Sequence, residues 1–439
     1  MARILIGSLQ TAGHVNPLLP LARELTMRGH DVGWYTGRKP RAKIEATGAR
    51  HHAMREAKDY DEAELGQVFP QRAGLQGFEQ LKFDMKHVFV DAGPPQLRDV
   101  QAIAKEFRPD LLVGEPGFVG GVFYHELTRT PIALLNVLPM GLPSRDAAPF
   151  GFALPPFSGA LGRLRNRALN WAVPNVLFRD VQVHWNAVRA SVGLPAAGWL
   201  LDIAPLVTRY LQPTVPALEY PRRDLPENVR FIGMLPAEAS SDVAFPPWWA
   251  DLEGLRPVVH VTQGTIANQA PDLFVPALRG LADEAVLVVI ATGGADPQKL
   301  GLTELPSNAR VASFLPYAQL LPKTTIMLTN GGYGGVQLAL SHGVPLIVAG
   351  GSEDKPEVAA RVAHSGAGLD LRTGKPSAEQ VHRAVRTLLQ NGRFRERARA
   401  LKHEFGRYDS VQLGANAIED LLPDKLREVT GVRHRASAI

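Results

Sequence analysis

Ile4-Leu5-Ile6-Gly7-Ser8-Leu9-Gln10-Thr11-Ala12-Gly13-His14-Val15-Asn16-Pro17 runs from a short apolar strand through a turn into a helix. From Pro17 to Arg28 the apolar residues Leu18, Leu21, Ala22 and Leu25 fall at helical spacing, and Asp31 through Thr36 reads as a second strand. Gly29-His30 stands between them, where a C-terminal glycine ends a helix. Strand, helix and strand in that order make a βαβ unit, and such units build a parallel sheet with crossover helices.

The same alternation continues outward. Pro109-Asp110-Leu111-Leu112-Val113-Gly114 reads as another buried strand. From Pro139 to Pro156 the composition shifts to Pro, Gly, Ser and Asp, a loop, and Leu161 to Val192 returns to a helical pattern rich in Arg, Asn and Trp. Between Pro205 and Pro226 prolines interrupt short strand-like pieces, so an interdomain linker is placed at 206–226. Beyond it Val258 to Val261, Val286 to Ile290, Ile326-Met327-Leu328 and Val344-Pro345-Leu346-Ile347-Val348 read as strands. Helical patterns cover Leu273 to Leu281, Gly335 to Ser341, Pro356 to His364 and Ala378 to Leu389. The expected fold class is α/β, with one doubly wound parallel-sheet domain over 1–205 and a second over 227–405.

A chain of 439 residues is long enough for two cores. Its 45% apolar and 21% charged residues are those of a globular protein. The net charge of +5 comes from basic residues that are scattered, without a stripe of interleaved aromatics, so no nucleic-acid partner is expected. The chain contains no cysteine, which excludes disulfides, thiolate metal sites and a Cys nucleophile together. The apolar start breaks at Gly7-Ser8, short of a signal-peptide core, and no run approaches the ~18 to 20 apolar residues of a membrane span. A cytoplasmic protein without stable membrane insertion is the expectation; oligomeric state is not read.

Two turns carry the residues suited to chemistry. The first lies at the carboxyl end of the first strand, where open α/β sheets place ligands, and there His14 projects from a glycine-flanked turn as a candidate base for a hydroxyl proton. A helix cap or turn filler is the other reading. The second is Thr329-Asn330-Gly331-Gly332-Tyr333-Gly334-Gly335-Val336-Gln337, which leaves a buried strand and opens a helix. Gly331, Gly332, Gly334 and Gly335 let backbone approach a phosphate, and the helix N-terminus supplies N–H groups and partial positive charge. A tight structural turn is the alternative. The six-residue dinucleotide fingerprint is not matched, which counts against a dehydrogenase.

The chain resembles the family 1 glycosyltransferases of GT-B fold, in particular bacterial enzymes that glycosylate macrolides, phenols and other natural products. Gly13-His14-Val15-Asn16-Pro17, Thr262-Gln263-Gly264-Thr265, Phe314-Leu315-Pro316-Tyr317, the glycine-rich turn, Gly343-Val344-Pro345-Leu346 and Asp354-Lys355-Pro356-Glu357 through Arg361 carry the resemblance in order and spacing. It implies two facing Rossmann-like domains, an N-terminal acceptor half, a C-terminal nucleotide-sugar half and a helix within 406–425 crossing back to the first domain. The implied reaction is an inverting transfer, without a metal or resident cofactor, from a UDP-sugar or dTDP-sugar to a hydroxyl of a small acceptor. An epimerase on the same fold, or a helper protein that kept the fold, are the alternatives.

The resemblance also implies roles. His14 matches the general base, and Glu115, where an Asp is usual, matches the carboxylate that orients it. Phe314 stands at an aromatic that stacks on the base, with core packing as the other reading. Thr262 and Thr265 match a hydroxyl-bearing loop near the phosphates, or cap a helix. Asn330 takes the place of a phosphate-binding His, and Leu338 that of a ribose-binding Glu, with Gln337 beside it as a partial substitute. Asp354 keeps the acid that contacts sugar hydroxyls, while Lys355 replaces a Gln and is open to the diphosphate, Asp354 or Glu357. Asp59-Tyr60-Asp61 spells the cation-binding pair of the other large glycosyltransferase fold, but lies in a charged segment read as a solvated face, so no metal is expected. Trp171, Phe178 and Trp185 read as pocket or core aromatics, and Arg393 to Arg407 as a solvated basic helix.

Overall fold

A computed structural model describes residues 1–61, 64–157, 159–236, 243–264, 272–298 and 304–423. It contains two sheets in which every strand pair is parallel. The first holds β1 (Arg3–Gly7), β2 (Asp31–Thr36), β3 (Arg50–Ala53), β4 (Leu111–Gly114), β5 (Ile132–Leu135), β6 (Arg209–Gln212) and β7 (Val229–Phe231), in the order β3-β2-β1-β4-β5-β6-β7. The second holds β8 (Val258–Thr262), β9 (Leu287–Ala291), β10 (Ala309–Ala312), β11 (Ile326–Thr329), β12 (Leu346–Val348) and β13 (Gly368–Asp370), ordered β10-β9-β8-β11-β12-β13.

The strands are apolar on both faces because each sheet is covered twice. Ile4 and Ile6 pack with Leu18, Leu21 and Leu25 in one core, while Leu5 between them enters another with Tyr35, Leu112 and Phe118. In the second sheet Ile326 and Leu328 face one core and Met327 the opposite one. The strand order reverses between β1 and β4 and again between β8 and β11, so each sheet opens a crevice at the carboxyl ends of those neighbours.

Two boundaries differ from the sequence reading. The stretch 206–226, expected as a linker, contains β6, and β7 lies in the segment assigned to the second domain; both extend the first sheet. Their brevity and the surrounding prolines conceal them, since Pro ends strands wherever its missing N–H is needed. The first helix also begins early: Ala12–Val15 is helical, Asn16–Leu18 forms a 3-10 turn containing Pro17, and Leu19–Met27 continues as α-helix. Ser410–Glu419 packs on the first domain, with Ala415, Ile418 and Leu422 in the core of Leu21 and Leu25. Arg28 and His30 both reach Glu419, at 2.6 and 2.8 Å.

Candidate active site

β1 and β4 run in register, Gly7 beside Gly114, so the turns that follow them emerge side by side. His14 comes from the first and Glu115 from the second, and His14 Nδ1 lies 2.5 Å from Glu115 Oε2. The Glu115 side chain is sealed, at 0% exposure. As a carboxylate it accepts from Leu9 N–H at 2.8 Å through Oε1 and from Gly117 N–H at 2.7 Å through Oε2, which offsets the loss of solvent. The extra methylene relative to Asp is accommodated because residue 117 is glycine: a Cβ there would stand 2.5 Å from Leu9 Cδ1 and 2.9 Å from Glu115 Oε1. Gln96 fixes the same turn, donating to the Gly117 carbonyl at 3.0 Å and accepting from Gly120 N–H at 2.9 Å. With Nδ1 committed to the carboxylate, Nε2 is the candidate ring nitrogen for proton transfer.

A cavity of about 820 Å³ opens on the same side of the first domain. Leu9, Met54, Tyr60, Phe69 and Phe83 give it an apolar wall, and Gln96, His87 and Asp91 supply polar groups. The Phe89 ring is 6.4 Å from that of His14, which links this segment to the dyad.

At the second crevice Thr262 and Thr329 pair across β8 and β11. Gly331 has φ +92°, and a Cβ on it would lie 2.8 Å from Val348 Cγ1, so glycine is required by both conformation and space. Gly332 caps the helix Tyr333–Ser341, and Gly332, Gly334 and Gly335 are exposed, leaving the first-turn N–H groups facing outward. Phe314 is 55% exposed and lies over Gly294, so core packing is not its role.

Several other residues sit differently from expectation. Asn330 Nδ2 donates to the Gln263 carbonyl at 2.6 Å, tying the turns after β8 and β11 together and using one of its two amide hydrogens. Thr262 is buried, and its hydroxyl accepts from Gly264 N–H at 3.3 Å within its own turn. Thr265 lies outside the described residues. Gln337 is 3% exposed, with Oε1 buried and unpaired among the described residues. Lys355 pairs with Glu353, and Glu357 pairs with Arg361. Burial raises the Asp354 carboxyl above its ordinary range, while Lys355 opposes the shift. Asp59 and Asp61 meet Arg38 and Lys39 at 2.8 and 2.7 Å. Phe178 and Trp185 are buried, but Trp171 is 63% exposed on the surface helix Gly159–Ala172.

The family described as erythromycin biosynthesis protein CIII-like, C-terminal domain, matches residues 279–409. Across 423 residues the chain is 44% identical to 4'-demethylrebeccamycin synthase of Lentzea aerocolonigenes, an alignment that covers 96% of this chain and 100% of the relative. The chain belongs to the family 1 glycosyltransferases. This glycosyltransferase is also 32% identical over 434 residues to UDP-glycosyltransferase 2 of Phaeomoniella chlamydospora, covering 95% of each. It superposes on the calicheamicin glycosyltransferase CalG4 with a TM-score of 0.74 at 22% identity, over 96% of this chain and 98% of that one, a likeness that carries the GT-B fold. The enzyme is of natural-product type, and the epimerase and helper readings find no support among these relatives. No helix among the described residues is long and apolar enough to cross a membrane.

Sequence reasoning missed the parts of the glycosyltransferase that hold the dyad. Leu9 acts through its backbone N–H, which no side-chain pattern reports. Gly117, two residues beyond Glu115 in Gly114-Glu115-Pro116-Gly117, could have been found as a glycine required by the longer acid. Gln96, a fully buried amide in an amphipathic helix, stood out only as a polar residue on an apolar face.

Proposed function

We propose that this glycosyltransferase moves a sugar, with inversion, from a nucleoside diphosphate donor to a hydroxyl of a small natural-product or phenolic acceptor seated in the 820 Å³ cavity. The observation that carries this reading is the 2.5 Å contact of His14 with the sealed Glu115. His14 Nε2 takes the acceptor proton as the acceptor oxygen forms its bond to the anomeric carbon from the face opposite the leaving diphosphate. Glu115 stabilises the imidazolium that results. The bond from the anomeric carbon to the diphosphate breaks, and the charge that develops is met by first-turn N–H groups from Gly332 to Gly335 and the positive end of their helix.

Phe314, exposed beside the same crevice, offers a face for the donor base. Asp354 serves the sugar hydroxyls, and its carboxylate oxygens accept their hydrogen bonds. A UDP-sugar is the favoured donor, supported by a relative named as a UDP-glycosyltransferase, with a dTDP-sugar second. Calorimetric titration of the protein with UDP and dTDP in the presence of a chelator tests the donor half. Micromolar binding of either supports the reading; binding of neither removes it. His14→Ala should keep nucleotide binding and lose turnover by at least ~100-fold.

A further inference from the structure

Away from the dyad, three side chains converge at the acceptor-side cavity. His87 Nδ1 lies 2.8 Å from Asp91 Oδ2, and His184 Nε2 lies 2.6 Å from Asp91 Oδ1. One nitrogen or oxygen from each residue falls within 4.8 Å of the other two, and among the described residues no other group of His, Asp and Glu gathers three ligand atoms in this way. All three are partly exposed, so an ion has access. The transfer chemistry uses none of them.

The chain builds this cluster with an irregular backbone. The helix Gly77–Phe83 passes into a π-helical turn, Asp84–Phe89, then a 3-10 turn, Val90–Ala92, before helix Gly93–Phe107 begins. Such π segments are uncommon and concentrate at functional sites. Here the turns carry His87 and Asp91, and the Phe83 ring packs 4.7 Å from the His87 ring. His184 comes from a separate helix, Arg179–Ser191, anchored by its buried neighbour Trp185, which stacks on Phe123 at 5.5 Å. The donor atoms therefore stand on packed elements and not on a loop.

We propose that His87, Asp91 and His184 bind one divalent transition-metal ion of the zinc type. Two imidazole nitrogens and a carboxylate oxygen suit zinc, whereas magnesium and calcium take oxygen ligands. Tetrahedral bonds of ~2.0–2.2 Å set ligand atoms roughly 3.4 Å apart; His87 and His184 meet different oxygens of Asp91, so the carboxylate turns to present one oxygen to the ion and small side-chain rotations bring the three ligand atoms, now within 4.8 Å of one another, to that spacing. Binding requires each imidazole to be neutral: the proton that each ring nitrogen shares with Asp91 moves to the other nitrogen of its ring, and nothing is oxidised or reduced. Three protein ligands leave an open position. Because His87 and Asp91 line the cavity, that position takes an oxygen of a phenolic or carbonyl-bearing acceptor. This orientation rests on the reading of the cavity as the acceptor site, while binding of the ion does not; no role at the donor diphosphate is assigned to it.

The test uses the full chain, stripped with chelator and titrated with zinc chloride by calorimetry and with cobalt(II) by visible absorption. The expected result is one ion per chain, with affinity reduced at least ~10-fold in both His184→Ala and Asp91→Asn. His125→Ala, outside the cluster, serves as the control for stray surface histidines and should leave binding unchanged, and circular dichroism establishes that each variant is folded. Absence of stoichiometric binding to the wild type overturns the proposal, as does equal affinity in the wild type and the two cluster variants. A parallel UDP titration keeps its failure distinct from failure of the donor reading.

Discussion

Arg361 Nε donates to Glu219 Oε2 at 2.6 Å, and this buried pair joins the second domain to the first. Glu219 lies between β6 and β7 of the first sheet, and Arg361 on the helix Lys355–Ser365 of the second domain. The guanidinium also donates to Glu357 Oε2 at 2.7 Å and to the Met140 carbonyl at 2.9 Å. Glu357 in turn accepts the backbone N–H groups of Gly151 and Ala153, at 2.8 and 2.7 Å. Burial disfavours the Arg361 charge, but Glu219 and Glu357 outweigh it and raise the group above its ordinary range. One cation thus binds two carboxylates and, through them, the loop at Gly151 and Ala153 to the helix that follows Asp354.

Arg361→Met should strip the cation from two sealed carboxylates and cost about 3–5 kcal/mol, the range for breaking a buried pair from one side. Urea unfolding followed by circular dichroism and by tryptophan fluorescence reads the loss. A midpoint within error of wild type by both probes would remove the pair from the account of how the domains are held.

Glu115→Gln should lower kcat by at least ~100-fold with nucleotide affinity unchanged. Both carboxylate oxygens accept N–H groups, from Leu9, Gly117 and His14, so an amide nitrogen at either position faces a donor and turns the side chain away. Glu115→Asp should be impaired as well, because the backbone donors are placed for the longer acid. Wild-type turnover in the Asp variant would show that the turn adapts and that the length of the acid is immaterial.

Much of this was legible in the chain and some was not, for physical reasons. Asp31–Thr36 was read to its ends because a β-rich run is bounded by Gly29 and Gly37, both strong breakers. β3, Arg50-His51-His52-Ala53, and the three-residue β13 escape because short edge strands carry no apolar run. His14 is legible at the turn after the first strand, while Glu115 is named only by the family resemblance; the structure brings the two together because the parallel β1 and β4 deliver their turns to one edge. Asn330 was placed correctly after its strand, yet its Gln263 contact depends on the neighbouring β8 turn, sixty-seven positions away in sequence. The burial of Gln337 beside Val336 and Leu340 on its helix is not visible from adjacent positions in the sequence.

Gly331→Ala and Gly332→Ala should separate folding from binding at the donor turn. At Gly331 the added methyl meets Val348 Cγ1 at 2.8 Å on a backbone of φ +92°, so a loss of about 1–3 kcal/mol is expected. At Gly332 a Cβ meets nothing within 4 Å, so stability should stay within about 0.5 kcal/mol of wild type while UDP affinity falls, because on the proposed reading the methyl intrudes where the phosphates approach the helix end. Unaltered UDP affinity in the folded Gly332→Ala protein would place the diphosphate elsewhere.

Stability should also fall with acid in a way that traces to His260. This imidazole is buried on β8, and burial lowers its pKa from 6.5 to about 4. Its Nδ1 lies 2.9 Å from the Val289 carbonyl and must carry the proton, so Nε2, 3.2 Å from Tyr317 Oη, accepts from the phenol. The depressed folded value means that the unfolded chain binds the extra proton first. Stability from this group is whole above about pH 6.5, declines as pH falls toward 4, and is spent below that, a total of about 3 kcal/mol. His260→Gln keeps a donor and an acceptor without titrating, so urea midpoints measured at intervals from pH 7 to pH 4 should decline less steeply than those of the wild type. Some slope should persist, since burial also lowers His52, His342 and His364. Identical slopes in the two proteins would mean that burial does not depress His260 in the folded chain.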